Sequence, residues 1–164
     1  MPAVRGKSVK VADEVWVATA LLHREHPERP AFTAQEITER ARKEGLHGHM
    51  RPGVYIHAAQ HCVANKPPNP GRYRMLYASG KLRRLFRPGD PYDRAREGAK
   101  TIPDREDLPR EYHHLLDWYF AEYAPRRPED KMTDPILALR GTGKELWSGE
   151  DPDRYVRRLR EGWA

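Results

Sequence analysis

Apolar residues at helical spacing mark the first predicted element of the chain. Successive intervals of 4, 3 and 4 residues separate Val11, Val15, Ala18 and Leu22. These intervals place the four side chains on one face of a helix with a period of 3.6 residues. We therefore predict an amphipathic helix from about Val9 to Glu25.

A second helix begins at a capping signal. Thr33 is followed three residues later by Glu36, the pattern of a capping box in which the two side chains bond the free backbone N–H groups of the first turn. Gly45 is the expected stop, because glycine readily adopts the left-handed conformation at a helix end. Residues 48–53 are predicted to form a loop.

A third helix is predicted from about Val54 to Asn65, with an apolar inner face and a polar outer face free of carboxylates. The inner face comprises Ile56, Ala59 and Val63, with Cys62 beside them. The outer face comprises His57, Gln60, His61 and Ala64, at positions i, i+3, i+4 and i+7.

Alternation of side chains predicts a β-hairpin after this helix. In Arg72–Ala78, two sets of side chains alternate along the chain, as they do on the two faces of a strand. One set is Tyr73, Met75 and Tyr77, and the other is Arg72, Arg74 and Leu76. Ser79-Gly80 is a turn signal, and Lys81–Arg87 is the predicted return strand. The predicted order is thus helix, helix, helix, hairpin.

The second half is predicted to contain an extended connection, a fourth helix and a tail. Residues 88–107 are rich in proline, glycine and charge, and the helix spans Pro109–Tyr123. Its apolar stripe is the predicted dimer interface: Tyr112, Leu115, Leu116, Tyr119, Phe120 and Tyr123. In the tail, Asp151-Pro152 is a strong start for a last helix, with Asp as N-cap and Pro at the first position.

These elements predict a mainly α protein with a small β-hairpin, in the α+β class. The predicted organisation is a domain of residues 1–89, a connection of residues 90–107, a helix of residues 108–124 and a tail of residues 125–164. That tail either binds a partner or completes the fold.

Positive charge is concentrated in the first half of the chain. Residues 1–89 contain 16 Lys and Arg against 7 Asp and Glu, a net charge of +9, whereas residues 90–164 carry a net charge of −3. No Asp or Glu occurs from Gly45 to Gly89. Such a balance favours a polyanionic partner, since each cation placed on a phosphate releases a condensed counterion.

Composition limits the classes of function. No apolar run approaches the roughly 20 residues of a membrane helix, and the single cysteine, Cys62, is compatible with a reducing cytoplasm. The histidines and carboxylates form no coherent catalytic or metal-binding set. We therefore predict a cytoplasmic, non-enzymatic protein without a cofactor, a metal site or a membrane association.

Double-stranded DNA is the predicted partner of the third helix and the hairpin. An α-helix fits the major groove, where base edges offer distinguishable donors and acceptors, and hairpin cations can reach phosphates. The predicted DNA contacts are Arg51, Tyr55, His57, Gln60, His61, Asn65, Lys66, Arg72, Arg74, Lys81, Arg83, Arg84 and Arg87.

Residues 9–89 resemble a winged helix-turn-helix domain. The resemblance depends on three helices, with Thr33-Ala34-Gln35-Glu36-Ile37 opening the second, followed by a hairpin rich in Tyr and Arg. It implies DNA binding, with the third helix as the recognition helix.

The tail is similar to the C-terminal tail of bacterial antitoxins that pair with PIN-domain ribonuclease toxins. The similarity covers residues 134–147 and continues through Asp151-Pro152-Asp153 to Trp163. It implies a tail that wraps around the toxin. The predicted partner-binding residues are Ile136, Leu137, Leu139, Arg140, Lys144, Leu146, Trp147, Tyr155, Leu159 and Trp163.

The sequence therefore supports two hypotheses of function. In the first, the protein is a dimeric DNA-binding transcriptional regulator and the antitoxin-like half of a toxin–antitoxin pair. In the second, the winged helix and the tail form a protein-interaction module that does not bind DNA.

Overall fold

The computed structural model describes residues 8–125 and 151–161. The chain divides into two units, one comprising residues 1–125 and the other residues 126–164. No helix in the described ranges is both long enough and apolar enough to cross a membrane.

Helix α1, Val11–Glu25, lies at the centre of the first unit and confirms the first predicted helix. Every residue from Ala12 to Ala20 is buried, whereas the sequence pattern predicted a single apolar face. The difference arises because other helices and the sheet pack around α1 from several directions. Even Asp13 and Glu14 of its first turn are therefore buried.

Helix α2, Ala34–Glu44, begins and ends where the sequence predicted. Thr33 Oγ1 accepts a hydrogen bond from the Glu36 backbone N–H, and the Glu36 carboxylate accepts one from the Thr33 N–H at 2.8 Å. Gly45 ends the helix with a φ of 67°, the left-handed conformation that glycine adopts without strain. The capping box is thus confirmed.

Three short strands form one antiparallel sheet with the order β1-β3-β2. The hairpin strands are β2, Leu76–Ser79, and β3, Leu82–Leu85. Strand β1, Phe32–Thr33, pairs with β3 on the side away from β2. The hairpin was predicted, although its strands are shorter than expected, and β1 was not predicted.

The hairpin is shorter because its first predicted residues bond elsewhere. The Tyr73 N–H donates to the His61 carbonyl, the Arg74 N–H to that of Lys100, and the Met75 N–H to that of Cys62. The segment before β2 therefore follows the end of the third helix and is not paired along its length with β3.

The fourth predicted helix is present, but its apolar stripe belongs to the core of its own chain. A 3-10 turn at Arg110–Tyr112 leads into α4, His113–Trp118, and then into a π-helical turn at Tyr119–Tyr123. Four members of the proposed dimer interface are less than 9% exposed: Tyr112, Leu115, Leu116 and Tyr119. The interface prediction is therefore wrong for these four residues, because they pack within the same core as α1.

Hydroxyl groups fix the two ends of this helical segment. The Tyr112 hydroxyl donates to Glu44 at 2.6 Å, which ties the segment to α2. The Tyr119 hydroxyl donates to the Phe86 carbonyl, and the Tyr123 hydroxyl donates to that of Leu85 at 3.0 Å. Phe120 is the exception on this stripe, with 43% of its surface exposed.

The segment predicted to be an extended connection is irregular but packs against the rest of the first unit. It contains 3-10 turns at Arg94–Arg96 and Arg105–Asp107. The Lys100 ammonium group lies 3.7 Å from the carboxylate of Asp13, which is fully buried. Burial nevertheless raises the pKa of the Asp13 carboxyl.

The described part of the second unit is helix α5, Pro152–Glu161. Asp151 Oδ1 accepts hydrogen bonds from the backbone N–H groups of Asp153 and Arg154, at 2.9 and 3.2 Å. The predicted N-cap is therefore confirmed.

Candidate nucleic-acid interface

The third helical segment presents a different face from the one that its sequence predicts. Helix α3, Gly53–Ile56, continues into a π-helical turn at His57–His61. Val54, Ala58 and Cys62 are buried, at intervals of four residues, and Ile56 is 40% exposed although it was predicted to face inward. The wider π turn rotates the later side chains relative to a regular α-helix.

The predicted base-reading histidines are only partly accessible. His57 bonds the Gly53 carbonyl through Nδ1 at 2.8 Å, and its ring packs edge-on against the His61 ring at 4.9 Å. Burial lowers the pKa of His57. A Cβ atom on Gly71 would lie 2.6 Å from the His61 side chain, so the chain at Gly71 passes directly over that ring.

The predicted outer face of this helix is also shorter than expected. Gln60 is half-buried, and Ala64 is fully buried. The helical segment ends at His61, four residues before the predicted end at Asn65. The two histidine rings are therefore brought together, with Gly71 against His61, and Gln60 is half-buried, so the three side chains do not form the open polar face that was predicted.

Arg96 holds the loop from Lys66 to Gly71 in place. Its side chain is fully buried, and all five of its hydrogen bonds go to main-chain carbonyls at 2.7 to 3.3 Å. The acceptors are the carbonyls of Gln60, His61, Lys66, Pro67 and Tyr73. Burial lowers the pKa of the guanidinium, and the two carbonyls at the C-terminal end of the helix supply negative partial charge.

Sequence reasoning missed Arg96, which lies in the segment predicted to be a connection. An arginine among charged residues in a region rich in proline and glycine gives no signal of burial. Its role becomes evident only when the loop from Lys66 to Gly71 folds around the guanidinium.

Two of the predicted phosphate contacts on the hairpin are committed to internal bonds. Arg83 is only 6% exposed, and its guanidinium donates to the carbonyls of Gly80, Leu82 and Ala59. Arg84 forms a two-pronged ion pair with Asp90, with both distances 2.7 Å. Asp90 follows directly after the carboxylate-free stretch, so the count of charges along that stretch did not include it.

Three further arginines contact neighbouring side chains. The guanidinium of Arg74 lies 4.1 Å from the centre of the Tyr92 ring, and that of Arg87 lies 4.4 Å from the centre of the Tyr123 ring. Arg51 forms an ion pair at 2.6 Å with Glu14, whose side chain is 3% exposed. Arg51 thus neutralises a carboxylate of α1.

Two polar side chains connect the helix end to the hairpin. The Asn65 amide donates to the Ala78 carbonyl at 2.8 Å and accepts from the Ala78 N–H at 2.9 Å. The Lys66 ammonium group donates to the Ala59 carbonyl at 3.2 Å, the same carbonyl that Arg83 reaches. These bonds hold α3 and the hairpin in one arrangement.

Four of the predicted contacts have an exposed side chain that makes no hydrogen bond or ion pair within the described ranges. They are Tyr55, Arg72, Lys81 and Arg87. Lys81 directly follows Gly80 in the hairpin turn, where it is exposed. We define the α3–hairpin surface as Tyr55, Ile56, Lys66, Arg72 and Lys81.

Most of the predicted toxin-binding residues lie outside the described residues. These are Ile136, Leu137, Leu139, Arg140, Lys144, Leu146, Trp147 and Trp163. Tyr155 and Leu159 belong to helix α5.

Comparisons with known proteins add no relative to this description. No protein-family model, no curated protein and no solved structure matches the chain.

Proposed function

We propose that the protein is a non-enzymatic DNA-binding transcriptional regulator in which residues 9–89 form a winged helix-turn-helix. The observation that supports this most strongly is the sheet order β1-β3-β2 together with the order of elements along the chain. In a winged helix, a short strand between the first two helices completes the hairpin sheet, and the third helix precedes the hairpin. In this protein, β1 lies between α1 and α2 in the chain and α3 precedes the hairpin, which supports the proposal.

The α3–hairpin surface supplies the charge that such a role requires. Arg72 and Lys81 are exposed, and Lys66 is half-buried beside the helix. Bonds from Asn65 and Arg83 keep the helix and the hairpin together, so a duplex would meet a preformed surface. Phosphate contacts of this kind give affinity that falls steeply with salt concentration.

Exchanging the two exposed cations tests this proposal. Arg72→Glu combined with Lys81→Glu should weaken duplex binding by at least 10-fold and should lower the slope of log K against log salt by about 2. Fluorescence anisotropy with duplexes of random sequence, over a series of salt concentrations, measures both quantities.

A matched double variant controls for net charge. Lys43→Glu with Arg110→Glu makes the same charge change at two exposed positions outside the α3–hairpin surface, and it should retain most of the binding. Equal loss in the two double variants would show that only overall charge matters. Unchanged binding in the first variant would contradict the assignment of the surface.

We also propose that the tail binds a PIN-domain ribonuclease and so makes the protein antitoxin-like. This proposal depends on the sequence resemblance of residues 134–163. Co-expression of the full chain with the protein encoded next to it should yield a stable complex, and a chain ending at Pro125 should lose it. That truncation removes the second unit and leaves the first unit complete.

A second candidate function is a protein-interaction module, and the outward face of α3 favours it. Tyr55 and Ile56 offer apolar surface there, and Arg51, Arg83 and Arg84 are already engaged within the chain. Under this alternative, the full-length protein would bind duplexes no more tightly than the double charge variant does.

A further inference from the structure

The outward face of α3 carries carbon surface where the sequence predicted polar groups. Tyr55 is 53% exposed and Ile56 is 40% exposed, whereas Val54 and Ala58 point into the core. His57 is bonded back to the Gly53 carbonyl. A partner that binds this face of α3 must therefore complement an aromatic ring and a branched aliphatic side chain.

The major groove contains one apolar base-edge group, the C5-methyl of thymine. Ile56 has no hydrogen-bonding group, and the Tyr55 ring offers an apolar face with a single hydroxyl at its end. Neither of these two side chains can form the paired hydrogen bonds by which Arg reads guanine or Asn reads adenine. Contact with thymine methyl groups is the base readout to which the apolar surface of Tyr55 and Ile56 is best matched.

We propose that Tyr55 and Ile56 are the specificity-determining residues and that they select duplexes by the methyl groups of thymine. This inference rests on the proposed function, because it requires α3 to lie in the major groove. His57, Gln60 and His61 are half-buried, and they help to shape the end of α3: the two rings pack on each other, and His57 bonds the Gly53 carbonyl.

Charge favours a duplex over a protein as the occupant of this face. Lys66 places its ammonium group on the carbonyl of Ala59, one turn along from Tyr55 and Ile56. Arg83 places its guanidinium on the same carbonyl, so two cations meet one turn beyond the apolar face, and Arg72 and Lys81 add exposed positive charge on either side of β2. Positive charge next to an apolar face matches the phosphates that border the groove in which the base edges lie.

Removing the methyl groups from the DNA provides the test. A random duplex library is selected for binding to the full-length protein, and the bound pool is amplified once with thymidine and once with deoxyuridine triphosphate. The two pools share their sequences and differ only in the thymine methyls. We expect binding to the uracil pool to be weaker by about four-fold for each contacted methyl group.

Variants assign the effect to the two residues. Tyr55→Ala and Ile56→Ala should each reduce the ratio between the thymine and uracil affinities. Leu82→Ala is the matched control, since Leu82 is also an exposed apolar residue, at 37%, but lies in β3. Its ratio should equal that of the parent protein.

The outcomes separate this inference from the proposed function. Salt-sensitive binding of equal strength to both pools would overturn the role of thymine and leave DNA binding intact. A thymine preference that survives both alanine variants would also overturn it. Failure to bind either pool would contradict the proposed function itself and favour a protein occupant.

Discussion

The core around α1 and the α3–hairpin region are held together by different forces. Around α1, large apolar side chains such as Trp16 and Leu115 are fully buried and pack against one another. In the α3–hairpin region, long polar side chains bind main-chain carbonyls, and Arg96 alone makes five such bonds. The apolar contacts of the first region are those that the hydrophobic pattern predicted, although Asp13 and Glu14 are buried there too, whereas the bonds of the second region had no signal in that pattern.

This difference shows that a basic sequence is not the same as a basic surface. Several cations predicted to contact DNA are used to order the chain around them: Arg83 binds carbonyls, Arg84 binds Asp90, and Arg51 binds Glu14. An arginine carries five N–H donors, so it can satisfy the backbone of an irregular loop where no helix or sheet does so. Proline-rich segments have no hydrogen-bond ladder of their own, so their carbonyls are suited to bonds from an arginine side chain.

The largest expected effect comes from removing the Arg96 donors. Arg96→Met should lower the free energy of unfolding by about 4 kcal/mol, because it strands several carbonyls that are now paired. Hydrogen exchange should increase first in residues 61–76, whereas α1 should keep its protection. Chemical denaturation gives the free energy, and exchange measured by mass spectrometry locates the change.

Arg94→Met is the matched control, since Arg94 lies two residues earlier in the same turn and is exposed. It should change the free energy of unfolding by less than about 0.5 kcal/mol. If Arg96→Met behaves like this control, the distinction between the two regions fails.

A pH-dependent effect is expected in the α1 core, at His23. Burial and then the nearby charges of Arg87 and Arg84 lower the pKa of His23 from 6.5 to about 4. The folded state thus favours the neutral His23 ring. The stability that this preference contributes is complete above pH 6.5 and is lost as pH falls towards 4. The loss is about 3 kcal/mol over that interval.

Urea denaturation at pH 7 and at pH 4.5 measures this dependence. His23→Gln should have lower stability at pH 7 and a weaker decline between the two pH values. His26→Gln is the control at an exposed position three residues later, and it should follow the parent protein. If His23→Gln loses as much stability between pH 7 and pH 4.5 as the parent protein, groups other than His23 cause the loss.

The smallest expected effect concerns the link between the helix end and the hairpin. Asn65→Ala removes two hydrogen bonds to Ala78 and should lower the free energy of unfolding by about 1 kcal/mol. Asn69→Ala, at an exposed position of the nearby loop, should have almost no effect. Thermal denaturation of the two variants side by side would reveal whether the Asn65 amide stabilises the fold.

Local signals in the sequence predicted much of the first unit. The spacing from Val11 to Leu22 identified α1, and the Thr33–Glu36 box with Gly45 fixed both ends of α2. Helical propensity, capping and turn chemistry act between residues at most four apart, so one sequence is enough to recognise them. The candidate site was harder to predict, because its exposure depends on contacts made by distant residues.

By itself, the sequence determined the order of the elements, the capping residues, the turn at Ser79-Gly80 and the carboxylate-free stretch from Gly45 to Gly89. Only the tertiary structure decided which cations remain exposed, since Asp90 and Glu14 approach their arginines through the fold. It also decided that the stripe of α4 is core, and that Tyr55 and Ile56 face outward. Burial depends on the packing of segments far apart in the chain, which periodicity within one segment does not record.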